Sequence, residues 1–326
     1  MSTRDVRWRG LTAVLAGASV VGFSAIFVKW AIAGGASALT VGLFRMLFAL
    51  PIAWGLARRS GGLGMGIGRR WALAAGAAFF LDLALWHQAM RATTAANATL
   101  LVGGLSPIWV ALFSAIVFGR RAGLVGWLGQ AVGLAGALVL ALARGARTGD
   151  GSGELMAMAA SVCYAAVTLA FTRSRRTLNA PQALFWMTVG ALVCFALAVP
   201  LAGEPLGGYD ARAWASLVGL GLVVQIVGWW LNSWGLGHVD AATGAIGLQM
   251  QQVATPLLAA WLLAEPLRPL GVVGGALILG GIVMVAGGSG SKAPPPATDT
   301  TPPSERVDAV VAALAHEEEA DDHGER

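Results

Sequence analysis

Long apolar runs separated by short polar gaps follow one another along the first 287 residues of the chain. A helix needs roughly 20 apolar residues to cross a bilayer, and ten runs have about that length. They lie near residues 11–33, 38–57, 71–90, 95–118, 123–143, 153–172, 180–202, 213–235, 240–263 and 270–287. The alternation of polar and apolar positions that a membrane strand requires is absent from them. The pattern predicts an all-α membrane protein of ten transmembrane helices.

The composition narrows the class of protein. Hydrophobic residues make up 56% of the chain and charged residues 12%, with a mean hydropathy of +0.69. These values exclude an ordinary soluble enzyme, a disordered protein and a nucleic-acid-binding module. The net charge of +5 does not change this conclusion, because the basic residues are scattered between apolar runs, as topology signals are.

Basic residues are unevenly distributed between the two sets of loops, which predicts the orientation. With the N-terminus inside, twelve arginines flank the spans on the inner side: Arg4, Arg7, Arg9, Arg58, Arg59, Arg69, Arg70, Arg120, Arg121, Arg173, Arg175 and Arg176. Five lie on the outer side: Arg91, Arg144, Arg147, Arg212 and Arg268. We therefore expect a multi-pass protein of the cytoplasmic membrane with both termini in the cytoplasm.

The two halves of the chain match each other when one is shifted by 145 residues. Five small or apolar positions coincide: Gly126, Gly129, Ala131, Leu134 and Gly136 with Gly271, Gly274, Ala276, Leu279 and Gly281. Each half holds five spans, so the second half must enter the membrane from the opposite side. Such an inverted repeat is a common plan of secondary transporters, with the substrate site between the repeats. The predicted segments are 1–10, 11–143 (first repeat), 144–152 (connecting loop), 153–287 (second repeat) and 288–326.

The segment 288–326 differs from the rest of the chain, being rich in proline and then acidic. One interpretation is a disordered cytoplasmic tail. A sharper one is a short helix that docks on a partner, because Val307, Val310, Val311 and Leu314 form one helical stripe. That helix would make the chain a membrane-embedded signalling or scaffold protein, which is the alternative to a transporter.

Several short motifs, in order, resemble a known family. They are Phe44-Arg45, Phe79 to His87, Thr94 to Leu101 continuing to Leu105-Ser106-Pro107, and Ala264-Glu265-Pro266-Leu267. Through them the chain resembles an EamA-type member of the drug/metabolite transporter superfamily over about residues 10–287. The resemblance implies a ten-helix fold of two EamA repeats that moves small metabolites by alternating access. The chain departs from the family pattern after the fourth span, where Gly119-Arg120 stands in place of Gly-Glu.

Four acidic, basic or histidine side chains lie inside the predicted spans at least three residues from either end, where charge is costly and therefore points to function. Lys29 and His87 are close enough to the outer ends of their spans to reach the interface. Arg45 and Asp82 lie deeper, at a similar level. In one interpretation they pair and only stabilise the bundle. In the second they form a split site, in which Arg45 binds a carboxylate and Asp82 an ammonium group or a proton. In a third they have an orienting or gating role. The second arrangement suits an amino acid-like zwitterion.

Polar and aromatic residues at helical spacing extend this candidate site. Gln225, Trp229 and Asn232 fall on one face of the eighth span, and Gln249 and Gln252 on one face of the ninth. Each buried amide needs a partner, which favours a wet cavity or a neighbouring helix. The candidate substrate-binding residues are Arg45, Asp82, Trp86, His87, Asn97, Gln225, Trp229, Asn232, Gln249 and Gln252.

Other functional classes find little support. An aspartyl membrane protease needs two acids, but Asp82 stands alone at depth, and the His-Glu-x-x-His motif of zinc proteases is absent. We predict no enzymatic activity, cofactor, metal or nucleic-acid partner. The expected partners are a small-molecule substrate and the bilayer. Coupling to protons through Asp82 or His87 and uncoupled export both remain open, as do a monomer and a homodimer.

Overall fold

The computed structural model describes residues 3–118, 123–142, 151–236, 247–248 and 250–288. Every regular element in these ranges is helical, as predicted. The first half contains α1 Thr3–Gly22, α2 Ser24–Ala33, α3 Ala38–Arg59, α4 Ile67–Ala92, α5 Ala95–Phe118 and α6 Leu124–Leu142. The second half contains α7 Ser152–Ser174, α8 Ala180–Leu201, α9 Ala211–Gly219, a π segment Leu220–Gly228, α10 Trp229–Leu236, α11 Met250–Leu262 and α12 Pro269–Gly288.

Some predicted features lie outside the described residues. They are Gln249, the basic residues Arg120, Arg121, Arg144 and Arg147, nearly all of the connecting loop 144–152, and the tail beyond residue 288.

Six of the helical stretches are long and apolar enough to cross a membrane, judged on the described residues. They are Trp8–Ala33, Ala38–Arg59, Ile67–Ala92, Ser152–Ser174, Ala180–Leu201 and Ala211–Asn232. Shorter apolar stretches lie in α5, α6 and α12. Small residues such as Ala49 and Ala160 are buried between the helices, whereas Trp54, Leu197 and Trp261 are exposed on the surface of the bundle. This distribution is typical of a protein whose surroundings are lipid.

Two helix starts are built alike, and hydrogen bonds tie each of them to a loop of the other half. Ser37 caps α3 in a capping box with Thr40, and Asn179 caps α8 in the same way with Gln182. Ser37 Oγ also bonds Glu204, in the loop before α9. The Asn179 side chain correspondingly donates to Ser60 O, in the loop before α4, at 2.6 Å.

These bonds define two ends of the bundle. We call the end that holds residues 34–37, 93–94, 202–210 and 263–268 the first face, because hydrogen bonds link these turns to one another or to the neighbouring helices. The end that holds residues 60–66 and 175–179 is the second face.

Glycines let α6 and α12 touch along their backbones, and the contacts are reciprocal. A Cβ on Gly281 would lie 2.5 Å from Gly129 O, and a Cβ on Gly136 would lie 2.7 Å from Gly274 O. The early residue of each helix therefore meets the late residue of the other, so the two helices are antiparallel. These are the glycines that the 145-residue shift aligns, Gly129 with Gly274 and Gly136 with Gly281.

The contacts also set the relative directions of other helices. Gly10 O and Gly17 O of α1 approach Gly235 and Gly228, so α1 is antiparallel to α10. In contrast, α4 and α8 are parallel, since Gly68 lies near Leu178 and Gly76 near Gly190.

The packing partners repeat between the halves. In the first of these repeats, α4 contacts α7, and the equivalent segments α9–α10 and α1–α2 contact each other. In the second, α5 contacts α7, and the equivalent helices α11 and α1 contact each other.

Replacing Gly281 by alanine is expected to destabilise the protein, because the new methyl group would clash with the Gly129 carbonyl oxygen in a backbone that cannot easily yield. We expect a cost of about 1–3 kcal/mol, the usual range for overpacking. Gly280 is the matched control: it is exposed, and a Cβ there meets nothing within 4 Å. Gly280→Ala should leave the melting temperature in detergent unchanged or slightly raised. Equal melting temperatures for the two variants would contradict the packing argument.

Candidate functional site

The first membrane segment is interrupted for one residue, Phe23, between α1 and α2, although the backbone keeps right-handed helical angles there. Thr255 Oγ1 of α11 donates to Gly22 O at 3.1 Å, and Phe23 N bonds Val20 O at 3.1 Å, a turn tighter than the α-helix. A side chain that inserts into the hydrogen-bond ladder is a recognised cause of a helix break. The interruption makes Ser24 the first residue of α2.

The eighth membrane segment is irregular at a similar height. Its middle, Leu220–Gly228, is a π segment, and such elements are frequent at functional sites. A Cβ on Gly228 would lie 2.7 Å from Val21, and one on Gly219 would lie 3.0 Å from the Phe27 ring. The π segment therefore lies beside the break between α1 and α2.

Arg45, in the middle of α3, connects these two irregular regions. Its side chain is only 3% exposed. Nε donates to Gln225 Oε1 in the π segment at 3.0 Å, and one terminal nitrogen donates to Ser24 Oγ at 3.2 Å. The guanidinium also lies 5.5 Å from the centroid of the Phe79 ring. Arg45 is thus held by three other membrane segments.

Asp82 of α4 is equally buried, at 3% exposure, and interacts electrostatically with Arg45. No hydrogen bond or ion pair joins Asp82 to Arg45 in the part of the chain that the structure describes, and Asp82 Oδ1 has no hydrogen-bond partner there. Arg45 and Asp82 thus interact electrostatically without a direct hydrogen bond, and both interpretations of the pair, as structural support or as a split site, stay predictions. A buried carboxylate oxygen without a partner is costly and calls for an explanation.

Aromatic side chains surround the charged pair. The Phe79 ring packs edge-on against Trp229, with centroids 6.0 Å apart, and Trp229 packs in the same manner on Phe171. The Tyr164 hydroxyl interacts electrostatically with both Arg45 and Asp82. The site is therefore a charged pair with an aromatic wall.

Several other buried polar atoms have no hydrogen-bond partner among the described residues. They are Trp86 Nε1, His87 Nε2, Thr99 Oγ1, Gln225 Nε2, Trp229 Nε1, Asn232 Oδ1 and Gln252 Oε1. In the hydrocarbon region an unsatisfied polar group costs several kcal/mol. Their number indicates an interior that accommodates polar molecules.

The predicted site residues do not all gather around Arg45. The Gln252 amide rests against Gly103 of α5, and Asn232 rests against Gly17 of α1. Asn97 is half-buried in the first turn of α5, near the first face. The prediction of one face for Gln225, Trp229 and Asn232 assumed α-helical spacing, which the π segment alters.

His87 does not reach the interface as expected. It is fully buried, and its Nδ1 lies 3.0 Å from Ala38 O. A carbonyl oxygen only accepts, so Nδ1 carries the proton and fastens α4 to the start of α3. Trp86, beside it, is 6% exposed. Lys29 does extend to the first face, where Nζ donates to Thr93 O at 2.7 Å.

The first face is closed by further bonds between the two halves. Thr93 Oγ1 donates to Glu154 Oε1 at 2.7 Å. Glu265, in the loop after α11, accepts from Ala95 N at 2.9 Å and from Ala96 N at 3.3 Å. A carboxylate at this position satisfies free N–H groups at the start of α5 and complements the helix dipole.

Removing the Glu265 cap is expected to weaken the attachment of α5. Glu265→Ala should destabilise the protein by about 1–2 kcal/mol, since it leaves two amide groups without an acceptor. Thermal unfolding in detergent measures this change. Arg268→Ala, at an exposed position of the same loop, should have an effect within about 0.5 kcal/mol. An equal loss of stability for Arg268→Ala would show that any change in this loop destabilises the protein, and that the Glu265 cap has no special role.

The sequence did not identify Ser24 and Tyr164 as site residues. Serine and tyrosine are unremarkable in apolar spans, and only the fold brings them to Arg45 and Asp82. The helix break at Gly22–Ser24 depends on Thr255, more than 200 residues away. The one local signal was the spacing of Gly22 and Ser24, two residues apart within an apolar span.

A bundle of apolar helices with a charged, polar centre defines the class: a multi-pass membrane transporter. Matches to known proteins agree with this. The chain belongs to the EamA-like transporter family, whose sequence model matches it twice, over residues 8–142 and 151–287. It therefore belongs to the drug/metabolite transporter superfamily, as its motifs predicted, and is a transporter rather than an enzyme.

Two individual proteins are also similar to the chain. The chain is 25% identical to the uncharacterized transporter YdfC of Bacillus subtilis (strain 168) over 209 residues, which are 62% of this chain and 67% of that one. A solved crystal structure superposes with a TM-score of 0.61 at 23% identity, covering 87% of this chain and 98% of the other. This second likeness concerns the fold alone.

Proposed function

We propose that the protein is a secondary transporter that exports an amino acid-like zwitterion across the cytoplasmic membrane by alternating access. The observation that carries the proposal is the buried pair of Arg45 and Asp82, which interact without touching. The Arg45 guanidinium has five N–H groups, and its two hydrogen bonds use two of them. The others can bind a carboxylate, while the free oxygen of Asp82 accepts an ammonium group or a proton.

The two charges sit where an alternating-access transporter needs its substrate site. Ser24, Arg45 and Asp82 belong to the first half of the chain, and Gln225 and Trp229 belong to the second. A site made by both repeats is exposed to opposite sides as one repeat rocks against the other. The aromatic wall of Phe79 and Trp229 excludes bulk water, which strengthens the interactions of both charges.

The packing supports ten passes with both termini on one side. If α1–α2 and α9–α10 each form one pass, neighbours of opposite parity should be antiparallel and neighbours of equal parity parallel. The contacts of α6 with α12, α1 with α10 and α4 with α8 follow this rule. The reciprocal ties of Ser37 and Asn179, on opposite faces, match an inverted repeat.

The first face is the outer one in this proposal, in agreement with the excess of arginine at the other end. One chain supplies both repeats, so a monomer suffices for transport. The boundaries of the functional segments are those predicted: 11–143 and 153–287 for the repeats, joined by 144–152, with 1–10 and 288–326 in the cytoplasm. Asp82 is the group that would carry a coupling proton.

Comparative metabolite analysis tests the proposal. Cells that express the chain, cells that express Asp82→Asn at an equal membrane level, and empty-vector cells are compared by mass spectrometry of medium and extract. We expect a zwitterionic metabolite to accumulate in the medium, and to fall in the extract, with the native chain alone. Accumulation of the metabolite inside the cells would show that the protein imports it, contrary to the proposed export. An exported compound without a carboxylate would overturn the assignment of Arg45.

A further inference from the structure

The segments α1–α2 and α9–α10 divide at the same height into first-face and second-face halves. The break at Gly22–Ser24 lies between two contacts with the other segment, Val21 with Gly228 and Phe27 with Gly219. The π segment spans the same interval. Each half therefore has a partner half on the other segment.

The first-face halves, α2 and α9, are firmly joined to each other. Asp210 N donates to Gly34 O at 3.3 Å, between the end of α2 and the start of α9. The Arg212 guanidinium lies 4.3 Å from the centroid of the Trp30 ring, a cation–π contact. Two helices with such ties at their ends, and the Phe27–Gly219 contact at their base, are expected to move as one body.

The equivalent segments of the repeat are built differently. By the predicted repeat, α4 and α7 correspond to α9–α10 and α1–α2. Both are unbroken helices, of 26 and 23 residues. The irregularity is therefore specific to one of two related pairs, so that among the described segments α1–α2 with α9–α10 form an irregular pair and α4 with α7 form a regular pair.

Arg45 bonds the irregular pair, α1–α2 with α9–α10, at both of its irregular points. One acceptor, Ser24 Oγ, is the first residue of α2, and the other, Gln225 Oε1, lies in the π segment. We propose that α2 and α9 together form the gate at the first face, and that Arg45 latches this gate shut. This rests on the proposed function, in which Arg45 binds the carboxylate of the substrate.

The latch links substrate binding to opening. Ser24 and Gln225 are neutral acceptors, and a carboxylate forms stronger, charge-assisted bonds with the same guanidinium. A carboxylate that first binds the free N–H groups of Arg45 draws the guanidinium toward itself, and it then competes with the two acceptors that restrain the gate. The free energy of binding shifts the population toward the open gate, because in the closed gate Arg45 is bonded to Ser24 and Gln225 and is less available to the substrate.

Cysteine labelling tests the gate without any substrate. The native cysteines, Cys163 and Cys194, are first replaced by alanine. Val28→Cys reports on the gate: this position of α2 is fully buried, and it lies away from Phe27 and Trp30, which face α9. Ala157→Cys in α7 is the control, fully buried and, like Val28, five residues from the first-face end of its helix.

The variants Gln225→Leu and Ser24→Ala each remove one acceptor of the latch. A membrane-impermeant methanethiosulfonate is applied to intact cells and, separately, to inverted vesicles. A hydrogen bond to a charged group is strong enough to change a two-state population about tenfold. We expect labelling of Val28→Cys to rise by about that factor in both variants, from one side only, and labelling of Ala157→Cys to stay unchanged.

The opposing results are distinct. Unchanged labelling of Val28→Cys, or an equal rise at Ala157→Cys that signals general loosening, would overturn the gate. If labelling responds as expected while the metabolite comparison shows no export, the gate stands and the proposed function fails. Export that depends on Arg45 without any labelling response would leave the function and remove the latch.

Discussion

Arg45→Gln is expected to reduce transport by about a hundredfold or more, the factor that corresponds to the loss of charge-assisted bonds worth about 3 kcal/mol. Glutamine cannot offer a carboxylate the charged, two-pronged contact of a guanidinium. The measurement is the export rate of the metabolite found by mass spectrometry, normalised to the amount of protein in the membrane. Arg45→Lys keeps the positive charge but lacks the two-pronged geometry of the guanidinium, so its export rate should fall between those of the native chain and Arg45→Gln.

A neutral double variant separates function from folding. Arg45→Gln alone leaves Asp82 buried without a neighbouring cation, which typically costs 3–5 kcal/mol and is expected to lower the membrane level. In Arg45→Gln/Asp82→Asn neither side chain is charged, and the membrane level should recover. If the charges serve transport, export stays absent in the double variant. Recovery of export along with folding would show that the two charges have only a structural role.

Helix positions were predictable where the determinants are local. The predicted span 95–118 coincides with α5, and 38–57 and 180–202 agree with α3 and α8 within about two residues at each end. The starts of α3 and α8 are fixed by Ser37 and Asn179, and their capping partners lie three residues further on. Such signals are present in the linear sequence.

The irregular segments were not predictable for the opposite reason. Residues 11–33 read as one apolar run, and Gly22 is no stronger a signal than other glycines in the chain. The break depends on a hydrogen bond from Thr255. The π segment is likewise invisible in an apolar run, because no residue type encodes it.

The charged centre was predictable in its members and not in its contacts. Arg45 and Asp82 stand out since ionisable residues are rare in apolar spans, and depth along the helix placed them at one level. Depth does not fix orientation about the helix axis. Arg45 has Ser24 and Gln225 as its hydrogen-bond partners because of which helices pack together. The periodicity of a single span does not contain that information.

Asp82→Asn is expected to change which compounds are transported; because it leaves the buried Arg45 without its neighbouring counter-charge, the rates are normalised to the amount of protein in the membrane. Asparagine has nearly the shape of aspartate, and Asp82 Oδ1 makes no hydrogen bond among the described residues that the change would break. An ammonium group bound at Asp82 would lose its counter-charge, which lowers the export of the zwitterion by about ten- to a hundredfold. The measurement compares the export rate of the zwitterion with the export rate of the same carboxylic acid lacking the amino group.

The ratio of the two rates distinguishes the roles of Asp82. If Asp82 binds the ammonium group, Asp82→Asn reduces export of the zwitterion and leaves the deaminated acid transported at an equal or higher rate, since repulsion between two carboxylates is removed. If Asp82 instead carries a coupling proton, both compounds lose transport together, and the loss follows the proton gradient. An unchanged rate for both compounds would remove Asp82 from the site and leave Arg45 as its single charge.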